Sequence, residues 1–355
     1  VPDPAAADTV DLRSDTITQP TPEMRRAMAE AVVTDYARDP CPTTTRLEQL
    51  AAELTGHEAA LFCTSGTMGN LVAFMTHLRP GEEVIAERNS HFLHFETGGC
   101  AAVAGAIPRT LPGRAGRMDL DELRAAIRPG STHNPRTALV VAENTHNLAG
   151  GTCLDPDYMR HLWQIARDRD LPVHLDGARV FNAAVALGVP VHILTVSCDS
   201  LMIDLSKGLC APYGSLLCAG ADFITRARLM RQRLGGGVRQ IGHMAAAGIV
   251  ALETMIDRLA EDHSNARRLA EGIHRIRPDL LDLDLVQTNI ALLDTKPLGL
   301  PAAQLAAKLS EAGVRCLPMH PLRIRFVTHH DVTSADIDRA LNAITDLLRS
   351  LPMSS

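Results

Sequence analysis

Residues 201–219 read LMIDLSKGLCAPYGSLLCA, a run of small and apolar side chains around a single lysine. Lysine is rarely buried without a partner or a task. Of the 35 Lys and Arg residues only Lys207, Lys296 and Lys308 are lysines. Lys296 stands in a Thr-Lys-Pro turn and Lys308 on the amphipathic stretch PAAQLAAKLSEAG, so both read as solvated. Lys207 is the one placed for chemistry, since an amine at a strand end can condense with an aldehyde. Two further strand ends carry polar groups: PVHLD closes on Asp176 before Gly177-Ala178-Arg179, and AALFC runs into TSGTMGN and a helix. Alone, Asp176 also reads as a helix cap, and Ser, Thr and Gly before a helix as an ordinary N-cap. Together, the amine, the carboxylate and the unpaired N–H groups of a helix start meet the needs of pyridoxal 5'-phosphate. That coenzyme requires an imine-forming lysine, a partner for its ring nitrogen and donors for its phosphate.

The elements that must position these residues follow from the hydrophobic spacing. Helical patterns alternate with short apolar strands: RLEQLAAEL with AALFC, GNLVAFMTHL with EVIAE, DLDELRAAI with TALVVAEN, YMRHLWQIARDR with PVHLD. That alternation predicts an α/β fold with a mainly parallel sheet covered by helices, with ligands at the carboxyl ends of the strands. LMIDL and YGSLLCA follow as strands, then a long helical stretch from about Gly242 to Ile276. LDLDLV, NIALLDT and RIRFVT read as strands of a smaller α+β unit, closed by a helix near ADIDRALNAITDLL. The expected domains are 1–248, large and coenzyme-binding with an N-terminal arm, and 249–355, small. The Ala/Pro-rich start reads as a loose end.

Composition excludes several classes. Acidic residues outnumber basic ones, 41 to 35, without runs of like charge, and aromatic residues make up only 3%, which argues against a nucleic-acid partner. No apolar stretch reaches membrane-spanning length and the start lacks the pattern of a secretion signal, so no membrane partner is expected. Cysteines 41, 63, 100, 153, 198, 210, 218 and 316 are scattered without CxxC pairs. They read as reduced thiols of a cytoplasmic protein, with neither disulfides nor a metal site. SGTMGN lacks the GxGxxG spacing expected of a dinucleotide-binding oxidoreductase.

The ordered motifs DLRSDT (11–16), SGTMGN (65–70), SHFLHFETGG (90–99), ENTHNLAGG (143–151), HLDGARVFNA (174–183), SKGLCAPYGS (206–215), GGGVRQIG (235–242) and RFVTHHDV (325–332) resemble the L-threonine aldolases. These are pyridoxal-phosphate enzymes of the aspartate-aminotransferase fold (fold type I), grouped with the β-eliminating lyases. The resemblance implies a carbon–carbon lyase that cleaves L-threonine, L-allo-threonine or a related β-hydroxy-α-amino acid such as phenylserine to glycine and an aldehyde. β-Elimination or transamination on the same scaffold is the alternative.

By the same resemblance, Lys207 binds the coenzyme aldehyde, Asp176 pairs with the ring nitrogen, Gly66 and Thr67 hold the phosphate, and Arg179 bonds the ring hydroxyl or a nearby carboxylate. His91 stacks on the ring. Ser14 and Arg325 grip the substrate carboxylate, a task suited to the planar fork of arginine, with Arg323 competing from the same strand face. The base that takes the β-hydroxyl proton is His133 in STHNPRT, with His91 second and His146 third; Glu96 orients an imidazole or caps a turn. Arg239 reaches the phosphate from a neighbouring subunit, which implies a homo-oligomer, a tetramer by resemblance, with sites at a subunit interface. Of the basic residues before the glycines, Arg231 and Arg233 both remain open.

Two stretches depart from the family pattern. The family's acidic, tyrosine-containing loop is here DYARDPCPTTTRLE, with Tyr36 displaced and Cys41 beside Pro42. Cys210 and Tyr213 replace the usual Gly and Val after the lysine. Both are expected to line the substrate end of the pocket, where volume sets which β side chain fits.

Overall fold

A computed structural model describes residues 9–351; the Ala/Pro-rich start lies outside them. The chain forms two compact units. The larger comprises Gln19–Ala149 and Cys153–Asp257, and the smaller comprises the chain through Thr18, Gly150–Thr152 and Arg258 onward.

The larger unit is built on a seven-stranded sheet: β1 (Ala59–Cys63), β2 (Glu83–Glu87), β3 (Ile107–Leu111), β4 (Thr137–Glu143), β5 (Val173–Gly177), β6 (Ser200–Asp204) and β7 (Ser215–Ala219). Their order is β1-β7-β6-β5-β4-β2-β3, and all run parallel except β7, which is antiparallel to both neighbours. The central strands are buried along their whole length, which is why they read as continuous apolar runs rather than alternating ones. The edge strand β3, IPRTL, is mostly exposed and contains a proline, so no apolar pattern marks it.

The smaller unit gathers its core from Leu12, Leu269, Ile273, Leu293, Phe326, Ile337 and Ile344. Its three-stranded antiparallel sheet places Arg323–Val327 between Ile290–Asp294 and Leu317–His320. Val10–Asp11 pairs in parallel with Val314–Arg315, which ties the N-terminal arm to this unit.

Three expectations change. The stretch 242–276 is two helices, Gly242–Thr254 and Leu259–Ile276. The first packs on the helices Pro22–Glu30 and Pro42–Thr55 of the larger unit, while the second supplies Leu269 and Ile273 to the smaller core. Position 248 falls within the first helix, and the units divide between Asp257 and Arg258. LDLDLV is a 3-10 turn at Leu283–Leu285, because the Asp282 carboxylate accepts from the Asp284 N–H at 3.0 Å and closes the chain on itself.

Candidate active site

A cavity of about 270 Å³ lies at the carboxyl ends of the parallel strands of the larger unit. Ser65, Gly66 and Thr67 follow β1, His91 and Glu96 follow β2, Asp176 closes β5, and Lys207 follows β6; all of them line it. A larger hollow of about 670 Å³, beside Phe181, His192 and Leu252, holds none of the sequence-predicted residues.

Lys207 is mostly buried, and its Nζ lies 3.0 Å from Asp204 Oδ2, the last residue of β6. The other Asp204 oxygen accepts from the Ser206 N–H and hydroxyl, both at 2.8 Å. The turn therefore carries its own counter-charge, which makes an ammonium tolerable among small apolar residues.

Asp176 is 3% exposed, and its carboxylate accepts from Asn70 Nδ2 at 2.9 Å and from the Ala178 N–H at 3.2 Å. His91 Nδ1 pairs with Glu96 Oε1 at 2.9 Å. One ring nitrogen of His91 and one oxygen each of Glu96 and Asp176 lie within 4.8 Å of one another. Burial works against charge on His91, but the Glu96 hydrogen bond and the fields of Asp176 and Glu143 outweigh it and hold the imidazole above its ordinary value. Burial, with the field of Asp176, raises Glu96. The His91 main chain is fixed as well, because its N–H donates to Glu143 Oε2 at 2.6 Å.

The helix Gly66–His77 opens at the cavity, with Ser65 as N-cap accepting from the Met68 N–H at 3.2 Å. A Cβ at Gly66 would stand 3.1 Å from Asp204 Oδ2, and one at Gly69 would stand 2.6 Å from Met202 Cγ. The bare backbone lets the helix start approach β6, leaving first-turn N–H groups at the cavity, an anion site in the making.

Residues 11–296 match the family described as Beta-eliminating lyase. The chain belongs to the β-eliminating lyase family. The lyase is 42% identical to "Low-specificity L-threonine aldolase 1" of Arabidopsis thaliana over 347 residues, covering 96% of this chain and 97% of that one. It is similar to the solved structure of Leishmania major threonine aldolase, with a TM-score of 0.81, 20% identity and coverage of 95% and 99% of the two chains. It is also similar to a Thermus thermophilus aspartate aminotransferase double mutant, with a TM-score of 0.74, 17% identity and coverage of 96% and 92%. These likenesses establish the aspartate-aminotransferase fold, fold type I.

The coenzyme is pyridoxal 5'-phosphate, and the cavity fits it. A strand-end amine, a buried carboxylate, an imidazole and a helix start that the Cβ-free Gly66 lets close on β6 converge on one volume.

Other sequence-predicted residues of the lyase stand apart from this group. His133 lies on the exposed 131–134 turn that leads into β4, at the amino end of the sheet and opposite the cavity. His146 is buried and does not line the cavity, with Nε2 3.1 Å from Glu87 Oε2. Burial opposes its charge, and the carboxylates of Glu143 and Glu87 more than offset that, raising its pKa. Arg179 is buried at the head of the helix Val180–Leu187. Arg239 is 57% exposed and pairs with Asp35 at 3.1 Å. Arg231 turns inward, donating to the Phe62 carbonyl at 2.9 Å and to the Tyr36 hydroxyl at 3.1 Å, whereas Arg233 is exposed.

In the smaller unit, Arg325 is buried on its strand and donates to the Arg13 carbonyl at 3.3 Å, next to Ser14, while Arg323 is exposed. The two residues expected to grip a carboxylate are thus neighbours.

Neither departing stretch lines this cavity. Tyr36 donates its hydroxyl to Glu48 and accepts from Arg228 at 3.0 Å. Tyr213 stacks on Phe62 with centroids 6.4 Å apart, and Cys210 is fully buried at φ 64°, the left-handed backbone that suits the family's glycine. Sequence reasoning missed Asn70, Glu143 and Asp204 as supports. Only Asp204 left a local signal, a carboxylate three positions before the lysine.

Proposed function

We propose that the lyase cleaves L-threonine, L-allo-threonine or a bulkier β-hydroxy-α-amino acid such as phenylserine to glycine and an aldehyde. The observation that carries this reading is the placement of His91, a half-buried imidazole backed by Glu96, in the cavity that holds Lys207. A retro-aldol cleavage needs a base at the β-hydroxyl, and an imidazole on a carboxylate is suited to it. The printed name of the 42% identical relative supports the same substrate class.

When bound, the coenzyme supplies an aldehyde for the lysine amine and a cationic ring that accepts the electron pair left at the α carbon. Lys207 would hold it covalently, Asp176 would keep the ring nitrogen protonated, and Gly66 and Thr67 would donate to the phosphate. Arg179 would meet the ring hydroxyl side. Ser14 and Arg325 would orient the substrate carboxylate, and His91 would take the proton from the β-hydroxyl. In this reading the protein is a cytoplasmic homotetramer whose sites lie at a subunit interface, with Arg239 and His133 serving the site of a neighbouring copy. Their exposure away from the cavity of their own chain supports that reading. The eight cysteines, all buried and unbridged, fit a reducing compartment.

The test is a product assay with threonine, allo-threonine, β-phenylserine and serine. Glycine plus an aldehyde is expected; ammonia plus a keto acid would place the enzyme among β-eliminating relatives instead, and a keto acid without ammonia among transaminating ones. Lys207→Ala is expected to remove the visible absorbance of the bound coenzyme and turnover together.

A further inference from the structure

We propose that Asn70 is a positioning residue for the carboxylate that meets the coenzyme's ring nitrogen: one amide nitrogen holds both Asp176 and Glu96, and a buried row of side chains fixes which way that amide faces. The inference rests on the pyridoxal-phosphate reading of the cavity. Asn70 lies one turn into the helix whose first residues form the phosphate cradle, and it is 1% exposed. Its Nδ2 is 2.9 Å from Asp176 Oδ2 and 2.9 Å from Glu96 Oε1, so the two N–H bonds serve two carboxylates. Its Oδ1 lies 3.1 Å from His174 Nε2. His174 stands two residues before Asp176 on β5, beside its register partner Ser200 on β6.

With Asp176 and Glu96 both as carboxylates, the hydrogen-bond directions along this row follow from one end. Turned over, the amide would aim its oxygen at two carboxylate oxygens, so Nδ2 faces them and Oδ1 must accept. His174 Nε2 therefore carries the proton and donates to Asn70. His174 Nδ1, left bare, accepts from the Ser200 hydroxyl at 2.8 Å, and Ser200 Oγ in turn accepts from His77 Nε2 at 2.8 Å. Every donor points toward the cavity. Burial keeps both imidazoles uncharged, with His174 at about 4 and His77 at about 3, so the row adds hydrogen bonds without adding a cation beside Asp176. Asp176 is thereby oriented while its negative charge stays available to the ring nitrogen. The same amide couples Asp176 to the Glu96 that backs His91, so a single residue links the carboxylate meant for the ring nitrogen to the His91–Glu96 pair.

The test uses the full-length enzyme loaded with pyridoxal phosphate and two variants. Asn70→Asp keeps the shape and the acceptor for His174 but loses both amide donors; Asn70→Ala removes both functions and serves where a third carboxylate prevents folding. The measurements are the dissociation constant of the coenzyme, kcat and KM separately, and the thermal midpoint of the coenzyme-free protein. Expected are a coenzyme dissociation constant raised about 10- to 100-fold and kcat lowered by a similar factor, as befits hydrogen bonds to charged groups, with KM changed much less. Coenzyme affinity and kcat within twofold of the parent in either folded variant would overturn the proposal. So would a drop in thermal midpoint with unchanged coenzyme affinity, which marks a purely structural role. A parent protein that binds no pyridoxal phosphate would instead refute the underlying reading, so the two failures are told apart.

Discussion

Lys207 Nζ lies 3.0 Å from Asp204 Oδ2, three residues earlier in the same strand-end turn. The amine expected to bind the coenzyme is thus already neutralised by a carboxylate of its own chain, and both side chains are largely buried. Replacing Asp204 with Asn leaves the ammonium with a neutral partner. The coenzyme-free variant is expected to lose about 1 to 3 kcal/mol of stability. Urea unfolding checks this, and an unchanged midpoint would show that the pair contributes nothing.

His91 and Glu96 give a pH prediction with a definite sign. Burial disfavours the imidazolium, but the Glu96 hydrogen bond and nearby carboxylates prevail, so the folded pKa lies above the ordinary 6.5. The stabilisation from this pairing is complete below pH 6.5 and is lost as pH rises through the higher folded value. As a base, His91 must lose its proton, so kcat/KM is expected to rise with pH across the same window. Glu96→Gln removes the carboxylate and should move that limb to lower pH. A limb that stays in place would assign it to another group.

His77 and His174 predict acid sensitivity of a different kind. Burial depresses them to about 3 and about 4 from the ordinary 6.5. As pH falls below 6.5 the unfolded chain takes up protons that the folded chain refuses, so stability declines, each group contributing up to about 1.4 kcal/mol per pH unit. His77→Gln should flatten the decline by one proton's worth. Unfolding free energies from pH 7 to 4.5 check the slope.

Gly66 and Gly69 both let the helix start close on β6, but a Cβ at each would meet a different neighbour. A Cβ at Gly69 would meet Met202 Cγ at 2.6 Å, so Gly69→Ala is expected to cost about 1 to 3 kcal/mol through overpacking. Gly66→Ala places a Cβ 3.1 Å from Asp204 Oδ2, closer than ordinary contact and against the carboxylate that pairs with Lys207, and is expected to weaken coenzyme retention more than thermal stability. Equal loss of both properties in both variants would contradict this division.

The larger sheet was legible because its buried strands are apolar throughout and its helices carry their own periodicity. Edge strand β3 escaped notice because exposure and Pro108 remove the pattern. LDLDLV alternated like a strand but turned, since local Asp282 chemistry competed with pairing. The break after Thr254 was invisible because both flanking segments are good helices; only the cores they serve differ.

By itself the sequence pointed to the family, the fold class and the coenzyme, and singled out Lys207, Asp176 and Gly66, which line one cavity, because each follows or closes a strand whose apolar run announces it. Tertiary structure decided what supports and surrounds them. Asn70 meets Asp176 across 106 positions of sequence, and His174 meets Asn70 across 104. It also decided which histidine belongs to the cavity of its own chain, since His91 follows a strand end and His133 precedes a strand start. Hydrogen bonds act over 3 Å, and proximity on that scale between distant segments is set by packing the sheet, which no local spacing encodes.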